Sequence, residues 1–522
     1  MKQGLLILFA CLMLATQAPL AAQEIATTTA VAPEGLKPLL DFAGLVVAGN
    51  RNLLVAGHEL ETARFAQHRS LEAFSPQLTF NSDASKDANS SYNSLTGLEE
   101  DYSTRRRGSG AAIAQRTPLG QLGYAYSSSR TEYSNSQSSY FRSLYLSLQS
   151  GLLRNDARVN ALDRRLARAE YEISEAQADS VLLDVLFTAY QSLFSRIVAE
   201  RNQGIKRQNL NFYATLVEEA EIKLKTGIGS ELDRKQASMR LQQAETGNAE
   251  TGLSLQENDR RLAAQLGDIA WNHEIASFSL EPVVQCIPAS FSRETLEEKA
   301  FSRRPDYRVF LSQYKAQKAA YEKARQLSRP DLSARARWGR QGRGASESEA
   351  ADMQDKSWDV SLVYSMSLGH DGEKLDFAAQ REKLKAFAAR LAQKRDDIRL
   401  AVADALERLE FHHRNLTLLQ ASMQLSTEVL EGQQLNFQLG KISLLDLTRY
   451  QQEYDNASLA LVQGETQLIL EWLRLHYETG TLAEFAGVAP VGGIVARIEP
   501  VTKPVAGPAA EPSPEPAEME TH

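Results

Sequence analysis

"QLGKISLLDLTRY", residues 438–450, interrupts a long helical pattern with a glycine and a short apolar turn, then resumes as helix. An earlier stretch, "KTGIGSELDRKQA" at 225–237, breaks a helix in the same way. In both, a serine stands three residues after the glycine (Ser230, Ser443) and an aspartate six after it (Asp233, Asp446), each aspartate preceded by leucine. A pattern stated twice implies internal duplication, which has to be settled before the length of 522 residues is read as a domain count.

Upstream of the first break, apolar or small residues recur at 162, 166, 169, 173, 176, 180, 183, 187, 190, 194 and 197, in steps of three and four. That is a heptad stripe, carried by Leu162, Leu166, Ile173, Leu183, Phe187, Tyr190, Phe194 and Ile197 with Ser180 as the polar member, and it predicts a coiled-coil seam. Continued to Lys225 the helix is some 70 residues long, about 105 Å at 1.5 Å per residue. Around the second break, Leu384, Phe387, Leu391, Ile398, Ala405 and Leu409 mark a descending helix. Leu447, Tyr450, Tyr454, Ala457, Leu461, Leu468, Trp472 and Leu475 mark the returning one. Each glycine turn therefore joins two antiparallel helices. Glycine permits the left-handed backbone of the reversal, the serines suit helix N-caps, and an acidic residue in the first turn favours the helix dipole.

Ahead of each long helix the period changes to two. "SLYLSLQ" sets Leu144, Leu146 and Leu148 against Tyr145, Ser147 and Gln149. "WDVSLVYSMSL" and "PDLSARARW" alternate likewise, the latter placing Leu332, Ala334, Ala336 and Trp338 opposite Ser333, Arg335 and Arg337. These are strands with one wet face and one buried in core or lipid. Shorter helices precede them, opening at "NRNLL" and "RPDYR"; Arg51 to Pro76 and Pro305 to Pro330 are both 25 residues apart.

The repeat unit is thus helix, strands, long helix, tip, returning helix. Its copies span 36–267 (strands about 76–150, tip near 226–233) and 292–480 (strands about 331–368, tip near 439–446), joined by a linker at 268–291. Pro76 to Gly151 is 75 residues but Pro330 to Gly369 only 39, and the excess includes an additional hairpin around Pro118 and Gly120. Two to three strands per copy are expected, and the additional hairpin either adds membrane strands or projects outside. The tail at 487–522, rich in Pro, Ala, Glu and Val, is expected to be disordered.

At the N-terminus, Met1-Lys2, the apolar Gly4 to Leu14 and "APLAAQE" read as a secretory signal over 1–22, followed by a linker at 23–35. Cleavage leaves Cys286 alone, which excludes an intramolecular disulfide. A net charge of −8 gives no case for nucleic acid. No later run approaches 18 apolar residues, which excludes helical spans but not a transmembrane β-barrel. A few strands with open edges leave backbone groups unpaired in hydrocarbon, so closure needs several chains; three chains of four strands would give twelve, above twelve helical legs.

The double repeat, the "NRNLL" and "RPDYR" helix starts, the proline-led "SPQLTF" and "RPDLSA", the "LQSGLLRNDARVN" join and the two Gly-x-x-Ser-x-x-Asp tips together resemble the outer membrane efflux protein family, the TolC-type channels, over about residues 36–480. The fold expected is mostly α with a small antiparallel β part: duplicated long coiled-coil hairpins forming an α-barrel, plus strands for a trimeric transmembrane β-barrel. The resemblance implies a homotrimer in the outer membrane of a Gram-negative bacterium, surrounded by outer-membrane lipid. It would receive small molecules or proteins from an inner-membrane pump through a periplasmic adaptor, as in drug efflux or type I secretion. It further implies adaptor docking at Gly227, Ile228, Ser230 and Leu232 and at Gly440, Ile442, Ser443 and Leu445, with Asp233 and Asp446 at the periplasmic constriction. For the aspartates, capping and a pore role stand as alternatives. The chain departs from the family pattern in carrying Arg449 where a second acidic residue is common, and Ile442 where a basic one is.

Arg335 and Arg337 are expected to line the lumen as solvated residues, contact with an anionic substrate being the alternative; Trp338 and Trp358 suit either an interfacial aromatic belt or packing between protomers. The histidines lack metal spacing and no nucleophile elbow, metalloprotease motif or phosphate loop is present, so neither an enzyme nor a cofactor is expected. The rival class is a periplasmic coiled-coil adaptor or spacer without a channel.

Overall fold

The computed structural model describes residues 36–491 except 73, 94–97, 118–119, 135, 155, 228–229, 268–278, 289, 367–371 and 440. The expected signal sequence and N-terminal linker, the first part of the 268–291 linker and residues 492–522 of the tail lie outside the described residues.

The first copy comprises α1 (Lys37–Gly49), α2 (Arg51–Glu72), β1 (Gln77–Asn93), β2 (Leu98–Thr117), β3 (Gly120–Tyr133), β4 (Ser136–Gly151), α3 (Asp156–Lys225) and α4 (Glu231–Leu266). After the short α5 (Glu281–Gln285), the second copy comprises α6 (Arg293–Arg303), α7 (Pro305–Leu327), β5 (Asp331–Gly344), the short α8 (Glu347–Ala351), β6 (Asp355–Ser365), α9 (Gly372–Gln438) and α10 (Leu444–Glu478). A last turn, α11 (Leu482–Phe485), follows.

The long helices α3 and α9 contain 70 and 67 residues. Each is flanked by two shorter helices stacked end to end: α4 and α2, of 36 and 22 residues, and α10 and α7, of 35 and 23. The joints between stacked helices are the two sequence motifs at the helix starts. In the first, buried Asn50 donates through Nδ2 to the Gln265 carbonyl at 3.0 Å, while its Oδ1 accepts from the Asn52 amide at 2.9 Å. In the second, Arg304 holds Asp306 with two bonds of 2.9 and 2.8 Å and donates through Nη1 to the Glu478 carbonyl (3.0 Å) and carboxylate (2.8 Å). One residue type caps and the other clamps, but both satisfy the end of the returning helix and the start of the next. Gly480, just past α10 at φ +71°, makes the reversal there with backbone an L side chain rarely adopts.

The main core forms around α3. The predicted seam residues Leu162, Leu183, Tyr190, Phe194 and Ile197 are buried, and so are Leu182, Val185, Leu186, Ala189 and Leu193 beside them. The buried surface is wider than one seam because α3 packs against α2, α4, α7 and α10 together. Tyr190 is fully buried against Phe42, and its hydroxyl donates to the Leu39 carbonyl at 2.9 Å; burial of each such ring contributes about 2–3 kcal/mol. This crowding also accounts for one 18-residue window of α3 that is apolar enough to cross a membrane, contrary to the sequence expectation: more than half of it is buried inside the chain. The beginning of the stretch expected to be disordered also packs, since Val491 is buried and its amide donates to Asp179 Oδ1 at 3.2 Å.

The strands form one antiparallel sheet in the order β1-β2-β3-β4-β5-β6. Among the described residues the sheet has six strands, four from the first copy and two from the second, so the additional hairpin adds strands to it. The β2–β3 hairpin expected around Pro118 and Gly120 lies between β1 and β4 as part of the sheet. The sequence left the strand number open because "SDASKDANSSYN", the outer half of β1, has no apolar alternation to betray a strand. The register aligns Leu78, Ile113, Tyr124, Leu146, Trp338 and Trp358 in one row across all six strands.

Candidate functional site

The described residues of the tips show why the serine and aspartate recur. Ser230 caps α4: its Oγ accepts from the Asp233 amide at 3.1 Å, and Asp233 Oδ2 accepts from the Ser230 amide and hydroxyl at 3.2 and 2.7 Å. Ser443 caps α10 through the same reciprocal set with Asp446, at 3.2, 3.2 and 2.6 Å. Both pairs are capping boxes with Asp in place of the usual Glu or Gln. The Ser443 hydroxyl and amide, with Arg449 nearby, hold the Asp446 carboxyl below its ordinary range. One oxygen of each aspartate is therefore committed to helix capping. Gly227 makes the first reversal at φ +77°; Ile228 and Gly440 lie outside the described residues.

The two tips sit side by side. The Lys223 ammonium lies 4.4 Å from the Phe437 ring centroid, and Tyr213, Leu216, Leu430 and Leu447 form a small core between the hairpins. Ile442 is half-buried against this core, whereas Leu232 and Leu445 are 63% and 59% exposed. Among the expected docking positions, the leucines thus present apolar surface to solvent, while Ile442 binds the tips to each other. Arg449 is exposed and pairs with Glu453 at 3.2 Å, one helical turn farther on.

Above this core lies a group that the sequence reading missed. Buried Asn209 on α3 donates to Asp455 Oδ2 on α10, and Gln451 Nε2 donates to Asp455 Oδ1 at 3.0 Å. Burial pushes the Asp455 carboxyl up against the opposing pull of these hydrogen bonds and of Lys206. The group borders a cleft of about 390 Å³ lined also by Lys206, Tyr213 and Arg240. Its only sequence signal was a Gln-x-x-x-Asp pair beside the apolar stripe of α10.

The remaining candidates lie at the other end of the molecule. Arg337 pairs with Asp359 at 2.6 Å and lies over the Tyr145 ring, 4.6 Å from its centroid; Arg335 donates to Gln149 Oε1 at 2.8 Å. These groups share a polar face with Ser147 and Ser361. The opposite face carries the row of Leu78, Ile113, Tyr124, Leu146 and the two tryptophans. The structure thus brings the tip residues together and keeps the strand arginines apart from them, at opposite ends of α3.

No protein-family model and no curated protein matches the sequence. Solved structures do match its fold. The outer membrane protein VceC of Vibrio cholerae aligns with a TM-score of 0.61 at 16% identity, covering 85% of this chain and 96% of that one. The open-state MtrE outer membrane channel of Neisseria gonorrhoeae gives 0.62 at 17%, covering 85% and 89%. The Campylobacter jejuni CmeC outer membrane channel gives 0.61 at 15%, covering 85% and 86%. At such identities the likeness is one of fold: duplicated helical hairpins below a strand region, as in outer membrane channels.

Proposed function

We propose that this chain is one protomer of a trimeric outer-membrane channel-tunnel of the TolC type, which exports small molecules or proteins delivered by a periplasmic adaptor and an inner-membrane pump. The observation that carries this reading is the open, two-faced sheet. Its outer strands β1 and β6 end the order without pairing to one another, and one face is apolar while the other is polar. Such a sheet is stable in hydrocarbon only when neighbouring copies close it into a barrel. The helices make the same demand: Leu400, Phe411, Leu418 and Leu425 of α9 are between 58% and 70% exposed, an apolar stripe suited to a second copy of the chain. The fold shared with MtrE and CmeC supports the same reading.

In the trimer the polar face, with Arg335 and Arg337, lines a wet lumen, and the tips form the periplasmic opening. Gly227, Ile228, Ser230 and Leu232, with Gly440, Ile442, Ser443 and Leu445, make the docking region for the adaptor, where exposed Leu232 and Leu445 give it apolar anchors. Asp233, Asp446 and Arg449 set the charge at the constriction. No step of catalysis is involved; the transported molecule moves through a water-filled pipe whose selectivity lies upstream.

Fractionation tests the assembly. Recovery from detergent-extracted outer membrane as a heat-sensitive trimer is expected; a monomer in the periplasmic extract would identify a soluble spacer instead. Gly440→Trp tests the tips: loss of export with trimer and membrane insertion intact is expected, and normal export would overturn the docking assignment.

A further inference from the structure

Above the apolar row, the outward face of β1–β3 changes character. Counting along the register toward the strand ends remote from the helices, the row Phe80, Ala111, Tyr126 and Leu144 is followed by Ser82, Ser109, Ser128 and Arg142, then by Ala84, Arg107, Arg130 and Tyr140. Lys86, Arg105 and Glu132 form the row after that. Because side chains alternate across a sheet, Lys86, Arg105, Arg107 and Arg130 all project from the same face as Leu78 and Tyr124. All four are exposed. Adjacent strands lie about 4.8 Å apart and residues two apart along a strand about 6.7 Å, so four cationic side chains share a patch of roughly one lipid headgroup.

The patch is unlike the polar face of the same sheet, where Arg337 is neutralised by Asp359. Here the one described acidic partner is Glu132, paired with Arg130 at 2.9 Å, and Arg130 also lies over Tyr140 at 5.3 Å from its centroid. At the β4–β5 end the short helix α8 lies across the face and Glu347 pairs with Arg142. Arg340 and Lys356 stand opposite each other lower on this face, in the row of Phe80 and Leu144, so the cationic cluster of the outer rows is the one on β1–β3. Basic residues just beyond an apolar, aromatic band are the arrangement that recognises anionic lipid headgroups, and arginine binds phosphate through paired donors.

We propose that Lys86, Arg105, Arg107 and Arg130 form a binding site for the phosphate groups of an acylated, phosphorylated glycolipid in the outer leaflet, whose acyl chains lie against the apolar row below. The site rests on the outer-membrane reading above, which puts this end of the strands in the outer leaflet. It fixes the height of the sheet in the bilayer and orders lipid around the β1–β3 strands.

The probe is a hexa-acylated glucosamine disaccharide, with and without its two phosphates, titrated against the full-length detergent-solubilised protein and read by native mass spectrometry. The wild-type protein is expected to retain the phosphorylated form at least about tenfold better than the dephosphorylated one. The variant Lys86→Ser/Arg105→Ser/Arg107→Ser/Arg130→Ser loses that preference, while Arg335→Ser/Arg337→Ser on the opposite face keeps it. Equal retention of both lipids by the wild type overturns the site, whether or not the fourfold variant folds; so does an unchanged preference in that variant. A trimer recovered from the outer membrane that shows no preference refutes the lipid site alone, whereas a chain recovered from the periplasm refutes the outer-membrane reading and the site with it.

Discussion

Asn209 of the first hairpin donates a hydrogen bond to Asp455 of the second, joining residues 246 positions apart in a buried polar seam just above the tips. If the tips are the periplasmic opening, this bond holds the two hairpins of a protomer together where an opening motion would separate them. Asp455→Ala removes the acceptor of buried Asn209 and the nearer of the two acceptors of Gln451, a loss of about 1–3 kcal/mol. A higher single-channel conductance in planar bilayers is expected, with Asp455→Asn intermediate because its one amide oxygen replaces only one of the two acceptors and its Nδ2 opposes the other donor. Equal conductance in all three proteins would show that the seam takes no part in opening.

The capping boxes predict a local effect. Ser443→Ala removes the acceptor of the Asp446 amide and a donor to its carboxylate, so amide exchange in the first turn of α10 should quicken about fivefold. Ser443→Thr should restore protection. Hydrogen-exchange mass spectrometry of the 440–450 peptide reads both, and unchanged exchange in the alanine variant contradicts the cap.

At the second helix joint, Arg304 faces Asp306 and Glu478, and Lys394 of α9 adds a 2.9 Å bridge to Asp306. Arg304→Met strips both carboxylates of their main partner, and a loss of about 3–5 kcal/mol in chemical denaturation is expected. Burial alone would raise the Asp306 carboxyl, but Arg304 and then Lys394 outweigh it and bring it from 3.8 down to about 2. With a depressed acid, the stabilisation is present above 3.8 and disappears as pH falls from there through about 2. A wild-type unfolding curve that is flat over that window would refute the pairing.

His476 gives an opposite charge and a higher window. Its ring stacks on Phe485 at 4.9 Å, its Nδ1 lies 2.9 Å from Thr481 Oγ1, and burial, with Lys299, lowers its ordinary 6.5 to about 4. The folded chain keeps this imidazole neutral while the unfolded chain protonates it, so stability is complete above 6.5 and declines as pH falls from there to about 4, by up to about 3 kcal/mol. His476→Phe should flatten the fall in melting temperature between pH 6.5 and 4.5; an unaltered slope would assign it to other groups.

How much of this was legible depended on whether sequence spacing alone imposes the geometry. The tips were readable because a capping box needs serine and aspartate three residues apart, whatever the rest of the chain does. The "NRNLL" and "RPDYR" motifs marked helix starts correctly, yet their work in splicing stacked helices was hidden, because Gln265 and Glu478 approach only through the tertiary fold. Asn209, Gln451 and Asp455 were passed over for the same reason: polar residues on long helices read as solvated until a second helix covers them. Alternation exposed β4, β5 and β6, where one face is apolar, and failed in β1, whose outer half is polar on both faces.

In the trimer proposed above, the sixth strand has a geometric corollary. Three such six-stranded sheets, if closed in a ring with strands about 4.8 Å apart and tilted about 40°, would have a circumference of about 110 Å. Twelve helical legs spaced about 9 Å between axes have nearly the same, about 110 Å. A twelve-stranded mouth would be about a third narrower. Polymer exclusion from reconstituted channels should accordingly register a single gauge along the strand and helix storeys, and any sieving by girth would fall to the far end, where the hairpins turn.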